Sequence, residues 1–343
     1  MEIDVSFSQQ NSTTIRHREV DARLQITLYI GIAILALPGN CILFYLSTFT
    51  NKLKMEGLSL LRNLAVSDIL IICVGVPFTV ANLSNYEGGT HDGILCQPQG
   101  FLILVLFLNS NFNIFLIAVY RFLFIVKNDV YQRLCGKTWR VNFSVCMTWF
   151  SAVCVSVPSV TGWGKLDYNF NRAHCMIVWR HSISYLLFVQ FFAFLLPLIV
   201  VIFAYWRILN HFRASQVRTN VRRSDRKTCI MSAMITASFF LSFLPYAILI
   251  VHEGLIGELA GEVFSFIAMI FAYSNGVVDF WIYSYMNRSF RRSAGQMLLC
   301  CGSNGLFKLN VCHPRQARTS DEPITTQTSG ENSSPRGLRE ATN

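Results

Sequence analysis

The chain has 343 residues and a formal net charge of +10 at pH 7. Hydrophobic residues make up 52% of it and charged residues only 14%, whereas soluble domains carry roughly 25% charged residues. This balance excludes collagen-like, disulfide-scaffold and, for most of the chain, disordered classes. A membrane protein is the expected class.

The N-terminal segment, residues 1–24, is mostly polar and precedes an apolar run too long for a cleavable signal. We expect an extracellular tail here. Asn11-Ser12-Thr13 matches the N-glycosylation pattern, so Asn11 is the predicted acceptor.

Seven stretches of 24 residues or more contain at most one charged residue each. About 20 helical residues cross a bilayer core, and the core leaves no water for unpaired backbone groups. The sequence therefore predicts an all-α membrane protein, a seven-transmembrane helix bundle over residues 25–286. The predicted spans cover about 25–50, 60–84, 94–126, 140–160, 183–209, 227–252 and 263–286.

The distribution of Lys and Arg predicts the orientation. With the N-terminus outside, the inner segments carry eighteen of these residues and the outer segments six. Positive charge favours the cytoplasmic side, so we expect a multi-pass plasma membrane protein with an extracellular N-terminus. The basic segment 207–227 lies between two spans, which favours a topology signal over nucleic-acid binding.

Among the eleven cysteines, only Cys96 and Cys175 fall in predicted outer segments, where disulfides persist. A bridge between them would pin the loop after span four across the mouth of the bundle; two free thiols are the alternative. Cys300 and Cys301 end an amphipathic stretch, residues 287–301, which predicts a short helix on the inner leaflet with two palmitoylation sites. Unmodified thiols are the alternative there.

Residues 302–343 are polar and rich in Ser, Thr, Gly and Pro, so they cannot bury a core. We expect a disordered cytoplasmic tail whose Ser and Thr residues accept phosphate. An unmodified linker is the alternative.

Two acids, Asp68 and Asp279, lie inside predicted spans, where a charge is costly without partners. Together with Ser110 and Asn275 they offer the oxygen ligands that a small hard cation such as Na⁺ prefers. A purely structural polar network is the alternative.

The spans alone are compatible with a transporter, an intramembrane enzyme or a receptor. No internal repeat is visible and seven spans do not divide evenly, which disfavours a transporter. No convergent catalytic or metal-binding set of His, Asp, Glu and Ser is present in the spans, which disfavours an enzyme.

Over residues 25–300 the chain resembles a rhodopsin-like (class A) G-protein-coupled receptor. The order and spacing of motifs carry the resemblance, since no single motif is specific. The motifs are Gly39-Asn40, Leu64-Ala65-Val66-Ser67-Asp68, Cys96, Tyr120-Arg121-Phe122, Trp149 with Pro158, Pro197 with Tyr205, Phe239 with Ser242-Phe243-Leu244-Pro245, and Asn275 with Asp279-Phe280-Trp281-Ile282-Tyr283.

Three positions depart from the family pattern. Tyr120 stands where the family has an acid, so Arg121 loses a neighbouring restraint, and Asp225 is the remaining candidate partner for it. Phe243 replaces a tryptophan and loses the indole N–H. Phe280 replaces a proline, so the kink of span seven should be weaker.

The segment Pro158–Gly164 is similar to opsins and, more weakly, to melatonin-type receptors. Opsins carry a Schiff-base lysine in span seven; the matching residue is Tyr273, and no Lys lies in the interior of a span. Covalent retinal binding is therefore excluded, because Lys is the amine that forms the imine. Amine receptors carry an acid where this chain has Ile103.

The resemblance implies a ligand pocket that is apolar with a few hydroxyl and amide groups, which suits a small neutral or lipophilic ligand. The implied lining residues are Gln99, Ile103, Leu104, Phe107, Val189, Phe194, Phe243, Tyr246, Ile250, Met269 and Tyr273.

The resemblance also implies a mechanism, in which ligand binding shifts the population between two helix arrangements. A heterotrimeric G protein would then bind at the inner end, and an arrestin and a receptor kinase are further implied partners. The residues implied in activation are Arg121, Tyr205, Asp225, Phe239, Pro245 and Tyr283. The alternatives are an opsin-related light sensor without covalent retinal and a seven-span transporter or channel.

Overall fold

The structure is a computed structural model that describes residues 2–49, 57–84, 95–169, 172–215, 223–257, 260–288 and 290–295. Side chains are described within these ranges except at residues 2–21, 215, 223 and 224. The chain divides into two compact units, residues 1–296 and 297–343. The second unit lies outside the described ranges.

Seven helices among the described residues are long and apolar enough to cross a membrane, which confirms the predicted number of spans. We call the end of the bundle near Cys96 the outer end and the end near Arg121 the inner end. The membrane-length segments are Ala22–Phe49, Leu58–Ser84, Cys96–Val126, Thr138–Ser159, Ile183–Ala214, Asp225–Ile256 and Glu262–Met286.

Several helices extend beyond the uncharged stretches that predicted them. The helix of span one is Glu2–Phe49, so its helical backbone continues into the segment predicted as a tail, and that of span six is Arg223–Ile256. A helix does not end where the bilayer ends, and polar turns add to it outside the apolar core. Span five is divided into Ile183–Val189, a π-helical turn Gln190–Leu195 and Leu196–Ser215.

Two further helical segments lie at the inner end. A short helix, Asn128–Cys135, follows span three and was not predicted. Helical backbone at residues 290–295 follows span seven, in the segment predicted as an amphipathic helix. Phe290 buries its ring there against Tyr283 and Phe280.

The bundle carries apolar side chains on its outside and polar ones inside. Ile34, Phe150 and Leu241 are all more than 60% exposed, whereas Asn109 and Asn113 of span three are fully buried. Lipid solvates the apolar surface, and buried amides then connect the helices. Asn109 donates to Ser67 of span two at 2.8 Å.

A β-hairpin joins spans four and five at the outer end. Strand β1, Leu166–Asn169, pairs antiparallel with β2, His174–Ile177. Cys175 of β2 is bonded to Cys96, which confirms the predicted bridge. The hairpin lies so close to span three that a Cβ added at Gly100 would be 2.8 Å from the Cys175 carbonyl oxygen. The disulfide and this close approach fix the hairpin over the mouth of the bundle.

Candidate ligand site and signalling core

A cavity of about 110 Å³ lies beneath the hairpin, in the outer half of the bundle. An apolar cavity of roughly 150 Å³ is known to hold a benzene molecule, so this cavity has room for a compact group. Nine of the eleven predicted pocket residues line it: Ile103, Leu104, Phe107, Val189, Phe194, Phe243, Tyr246, Ile250 and Met269.

The other two predicted pocket residues, Gln99 and Tyr273, do not line this cavity. Gln99 is buried, and neither its amide oxygen nor its nitrogen has a hydrogen-bond partner among the described residues. Tyr273 lines a second, smaller cavity deeper in the bundle.

The prediction missed the residues that form the roof and the floor of the outer cavity. The roof is the hairpin, through Leu166, His174, Met176 and Ile177. Asn111 of span three belongs to the floor; its side-chain nitrogen donates to the Ala193 carbonyl in the π-helical turn of span five. The disulfide was the one sequence signal for the roof, because it places the neighbours of Cys175 over span three.

Four consecutive residues, Arg172 to Cys175, each contact a different part of the bundle; we call them the plug. The buried Arg172 guanidinium forms an ion pair with Glu253 of span six. The Ala173 carbonyl accepts from Asn82 of span two at 3.0 Å, and Cys175 is bonded to span three. Arg172, Ala173 and Cys175 thereby join the outer ends of spans six, two and three through backbone and side-chain contacts.

His174, the remaining plug residue, is completely buried. Its Nε2 atom lies 2.7 Å from the Tyr273 hydroxyl of span seven and 2.8 Å from the Thr79 hydroxyl of span two. Burial is the main cause that lowers its pKa from 6.5 to about 4, and the nearby Arg172 guanidinium lowers it further. His174 is therefore neutral at pH 7.

The smaller cavity, about 10 Å³, is lined by Asp68, Ser110 and Asn275 among others. Asn275 donates to Asp279 at 3.1 Å. One carboxylate oxygen of Asp68, the Ser110 hydroxyl and the Asn275 amide oxygen have no hydrogen-bond partner in the described part of the chain. A cavity of this size holds about one water or one small ion, and these oxygens are the ligand type that Na⁺ accepts.

At the inner end Arg121 is buried and donates from Nε to the Ser232 hydroxyl of span six at 3.1 Å. The Tyr205 and Tyr283 side chains lie within electrostatic range of its guanidinium. Tyr205 also lies 3.2 Å from the Thr236 hydroxyl. Arg121, Tyr205 and Tyr283, which were predicted from spans three, five and seven, are therefore neighbours, and span six contributes Ser232 and Thr236, which were not predicted. The ion pair between Arg121 and Asp225 stays a prediction.

Three aromatic rings of spans three and six contact one another at the outer cavity. The ring of Phe243 is stacked on Phe239 at 4.5 Å, and it meets Phe107 edge-on at 5.4 Å. Both Phe243 and Phe239 line the outer cavity, and Pro245 lies inside the same helix. A ligand in the cavity would therefore touch the rings nearest the proline of span six.

Comparisons with known proteins decide the family. Residues 39–283 match the family described as 7 transmembrane receptor (rhodopsin family). The chain belongs to the rhodopsin family of seven-transmembrane receptors. Members of this family are receptors rather than enzymes, which agrees with the sequence prediction.

Individual relatives of the receptor are rhodopsins. It is 27% identical to a rhodopsin of Sargocentron punctatissimum over 284 residues, which cover 78% of this chain and 80% of that protein. Against a rhodopsin of Atherina boyeri the identity is 26% over 288 residues, covering 80% and 79%. The crystal structure of squid rhodopsin matches with a TM-score of 0.67 at 20% identity, covering 83% of this chain and 88% of the other, and supports the fold.

Some predicted sites of the receptor lie outside the described residues. These are the Asn11 side chain, Cys300 and Cys301, and the tail 302–343. Glycosylation, palmitoylation and tail phosphorylation stay predictions.

Proposed function

We propose that the receptor converts the binding of a small, neutral or lipophilic ligand into activation of a heterotrimeric G protein. The observation that carries the proposal is the outer cavity, whose walls are mostly aliphatic and aromatic. Among the described residues that line it, His174 is the one histidine, and its imidazole is neutral. Ile103 offers no charge to a cationic amine, and the Arg172 guanidinium is already paired with Glu253.

A ligand screen tests the proposal in cells that carry a panel of G-protein sensors. The library contains neutral lipophilic compounds and cationic amines matched to them in size. Responses confined to the neutral set are expected. A response confined to the amines would contradict the proposed ligand class.

Arg121 is proposed to contact the G protein after span six moves outward. Arg121→Ala should abolish both basal and ligand-driven G-protein activation while the amount of receptor at the cell surface is unchanged. Arg23→Ala, at an exposed position on the outer part of span one, is the matched control. Signalling that survives in Arg121→Ala would contradict this role.

Asp225 is proposed to restrain Arg121, because Tyr120 cannot supply the negative charge that the family has there. The Asp225 side chain is half-buried at the start of span six. Asp225→Ala should raise ligand-free signalling. An unchanged basal level would count against the restraint.

Na⁺ is a proposed ligand of the small cavity, held by Asp68, Asp279, Ser110 and Asn275. The bound ion would neutralise buried negative charge and so stabilise the inactive arrangement. NaCl should raise the melting temperature of the purified receptor more than choline chloride does. Asp68→Asn should remove the difference, and Asp167→Asn, on the exposed hairpin, should keep it.

A light sensor that holds retinal without a covalent bond is the second candidate, favoured by the similarity to rhodopsins. Adding retinal to the purified receptor tests it by absorbance. A band shifted from that of free retinal, which disappears on unfolding, would favour the light sensor. A spectrum identical to that of free retinal favours the ligand-activated receptor.

Further proposed properties follow from the family. The receptor resides in the plasma membrane with its N-terminus outside. A receptor kinase phosphorylates the tail and an arrestin then binds it. Labelling of an N-terminal tag on intact cells tests the location of the N-terminus. Arrestin recruitment, compared between the full receptor and one truncated after residue 301, tests whether the tail is where arrestin binds.

A further inference from the structure

The His174 side chain occupies a closed pocket between spans one, two and seven. It belongs to β2 of the hairpin, so it enters this pocket from the outer loop and not from a span. The Tyr29 ring of span one lies 6.2 Å from the imidazole, and the Tyr273 ring lies 5.6 Å from it. With zero exposure, the imidazole is surrounded on all sides.

The hydrogen bonds define one form of the imidazole. Nδ1 lies 2.8 Å from the Arg172 carbonyl oxygen, which can only accept, so Nδ1 carries the hydrogen. Nε2 is then an acceptor, and the Tyr273 hydroxyl donates to it at 2.7 Å. The Thr79 hydroxyl lies 2.8 Å from Nε2 and 3.2 Å from Nδ1, so it contacts the ring near both nitrogens, and its hydrogen is donated to the Gly75 carbonyl at 2.8 Å. The Nδ1 donor and the Nε2 acceptor are therefore matched by the Arg172 carbonyl and the Tyr273 hydroxyl.

The pocket also has room for Tyr273, the residue that donates to the imidazole. A Cβ added at Gly75 would lie 2.3 Å from the Tyr273 hydroxyl. The absence of a side chain at Gly75 lets Tyr273 reach the point where it donates to Nε2. The Tyr273 ring is further held edge-on by Tyr29 at 5.5 Å and by Phe107 at 5.7 Å.

We propose that Thr79, Tyr273 and the Arg172 carbonyl form a binding site for a neutral imidazole, which the chain fills with its own His174. The hairpin thus carries a tethered ligand, the His174 imidazole, which links spans two and seven. When an external ligand binds in the outer cavity, the imidazole site is already occupied and its hydrogen bonds are already formed. The site is intramolecular, so its existence does not depend on the proposed coupling to a G protein.

Chemical rescue tests the site. His174→Ala removes the imidazole and leaves two buried hydroxyl groups around an empty space, which is destabilising. In the full chain, reconstituted in lipid nanodiscs at pH 8, this variant should melt about 5 °C below wild type. Imidazole at about 20 mM should raise its melting temperature by about 3 °C, since a ligand that binds the folded state stabilises it. Wild type, whose site is filled, should not respond.

Two analogues and two variants give the test its specificity. 1-Methylimidazole lacks the N–H donor and pyrrole lacks the acceptor nitrogen, so neither should replace imidazole. In the double variant His174→Ala with Tyr273→Phe the rescue should be lost. His181→Ala, at an exposed position near the hairpin, should respond like wild type.

A His174→Ala receptor that cannot be purified is tested in cells instead. Surface labelling after growth with imidazole should exceed labelling after growth with 1-methylimidazole. Equal labelling in that assay, or a melting temperature that imidazole does not change, would overturn the proposal. So would equal rescue by all three compounds. None of these readouts requires signalling, so a receptor without G-protein coupling would leave the result unaffected.

Discussion

The Tyr120 hydroxyl lies 2.6 Å from the Tyr131 hydroxyl, and the two rings meet edge-on at 5.2 Å. Tyr120 stands beside Arg121, where the family has an acid, and Tyr131 is the buried residue of the short inner helix Asn128–Cys135. A neutral contact therefore fastens this helix to span three. The Phe124 ring also meets the Tyr131 ring edge-on, at 5.1 Å.

Removing this contact should loosen the short inner helix. Tyr131→Phe keeps the ring and deletes the hydroxyl, and it should cost about 1 kcal/mol of stability, as typical for one buried hydrogen bond. In a double-mutant cycle with Tyr120→Phe, the thermal stabilities should show a coupling of about that size. Tyr285→Phe, at a residue 78% exposed, is the control and should be neutral. Purely additive effects would mean that the two hydroxyl groups do not act as a pair.

Acid should destabilise the receptor through His174. The pKa of His174 is lowered to about 4 in the folded protein, compared with 6.5 for a histidine without these contacts. The folded state therefore favours the neutral form. The lowered pKa of His174 contributes about 3 kcal/mol to the free energy of unfolding above pH 6.5. This contribution is lost as the pH falls from 6.5 towards 4. Arg172, Tyr273, Thr79 and Tyr29 face the ring, and His174 is the one histidine among these residues.

Melting temperatures measured from pH 8 to pH 4.5 check this dependence. His174→Ala should melt at a lower temperature at pH 8 and should lose less stability on acidification than wild type does. His181→Ala, which changes an exposed histidine, should follow the wild-type curve. Parallel curves for wild type and His174→Ala would show that other groups cause the acid sensitivity.

Removing one partner of the Arg172–Glu253 ion pair should lower stability strongly, whereas replacing both partners by apolar residues should lower it little. Both side chains are buried, and Glu253 also accepts from the Ala260 backbone at 3.2 Å. Glu253→Ala leaves a buried guanidinium without its partner, which should cost about 3–5 kcal/mol. The double variant Arg172→Met with Glu253→Leu removes both charges and should recover most of that loss.

Thermal unfolding of the single and double variants in lipid nanodiscs measures this difference. The exposed pair Lys165–Asp167 serves as the comparison, because Asp167→Ala should cost less than about 1 kcal/mol. A double variant as unstable as Glu253→Ala would show that the charges themselves stabilise the plug.

Gly75→Ala should displace Tyr273. The added Cβ would lie 2.3 Å from the Tyr273 hydroxyl, closer than real contacts allow, so the bond to His174 must lengthen or break. We expect a loss of about 1–3 kcal/mol in stability. Gly31→Ala is the matched control, since Gly31 lies in a helix with open space around its Cβ position, and alanine there should be neutral or stabilising. A neutral Gly75→Ala would show that the ring of Tyr273 can shift without loss.

Much of the signalling core could be predicted because its residues stand in motifs. Arg121, Tyr205 and Tyr283 were predicted from their place in the family pattern, and the structure brings their side chains together. Nine of the eleven predicted pocket residues line one cavity for the same reason: in a helix, fixed spacing places residues on a common face. Ser232, which accepts from Arg121, belongs to no motif that was recognised.

The plug could not be predicted in the same way. Arg172, His174 and Glu253 look like ordinary polar residues near the outer surface, and only the folded chain shows that they are buried. Their burial depends on how the hairpin packs on the bundle. The predicted disulfide placed this loop across the mouth of the bundle, but it did not indicate which side chains of the loop enter the bundle or line the cavity.

Seven membrane spans and the resemblance to rhodopsin-like receptors could both be predicted from the order of residues alone. The hydropathy of a span and the spacing of a motif are properties of neighbouring residues, so both can be recognised without the folded structure. The contacts of His174 with Tyr273, of Arg172 with Glu253 and of Tyr120 with Tyr131 became known from the folded chain alone. The first two join residues far apart in the chain, the third joins two helices, and the geometry of all three arises when helices and hairpin pack against one another.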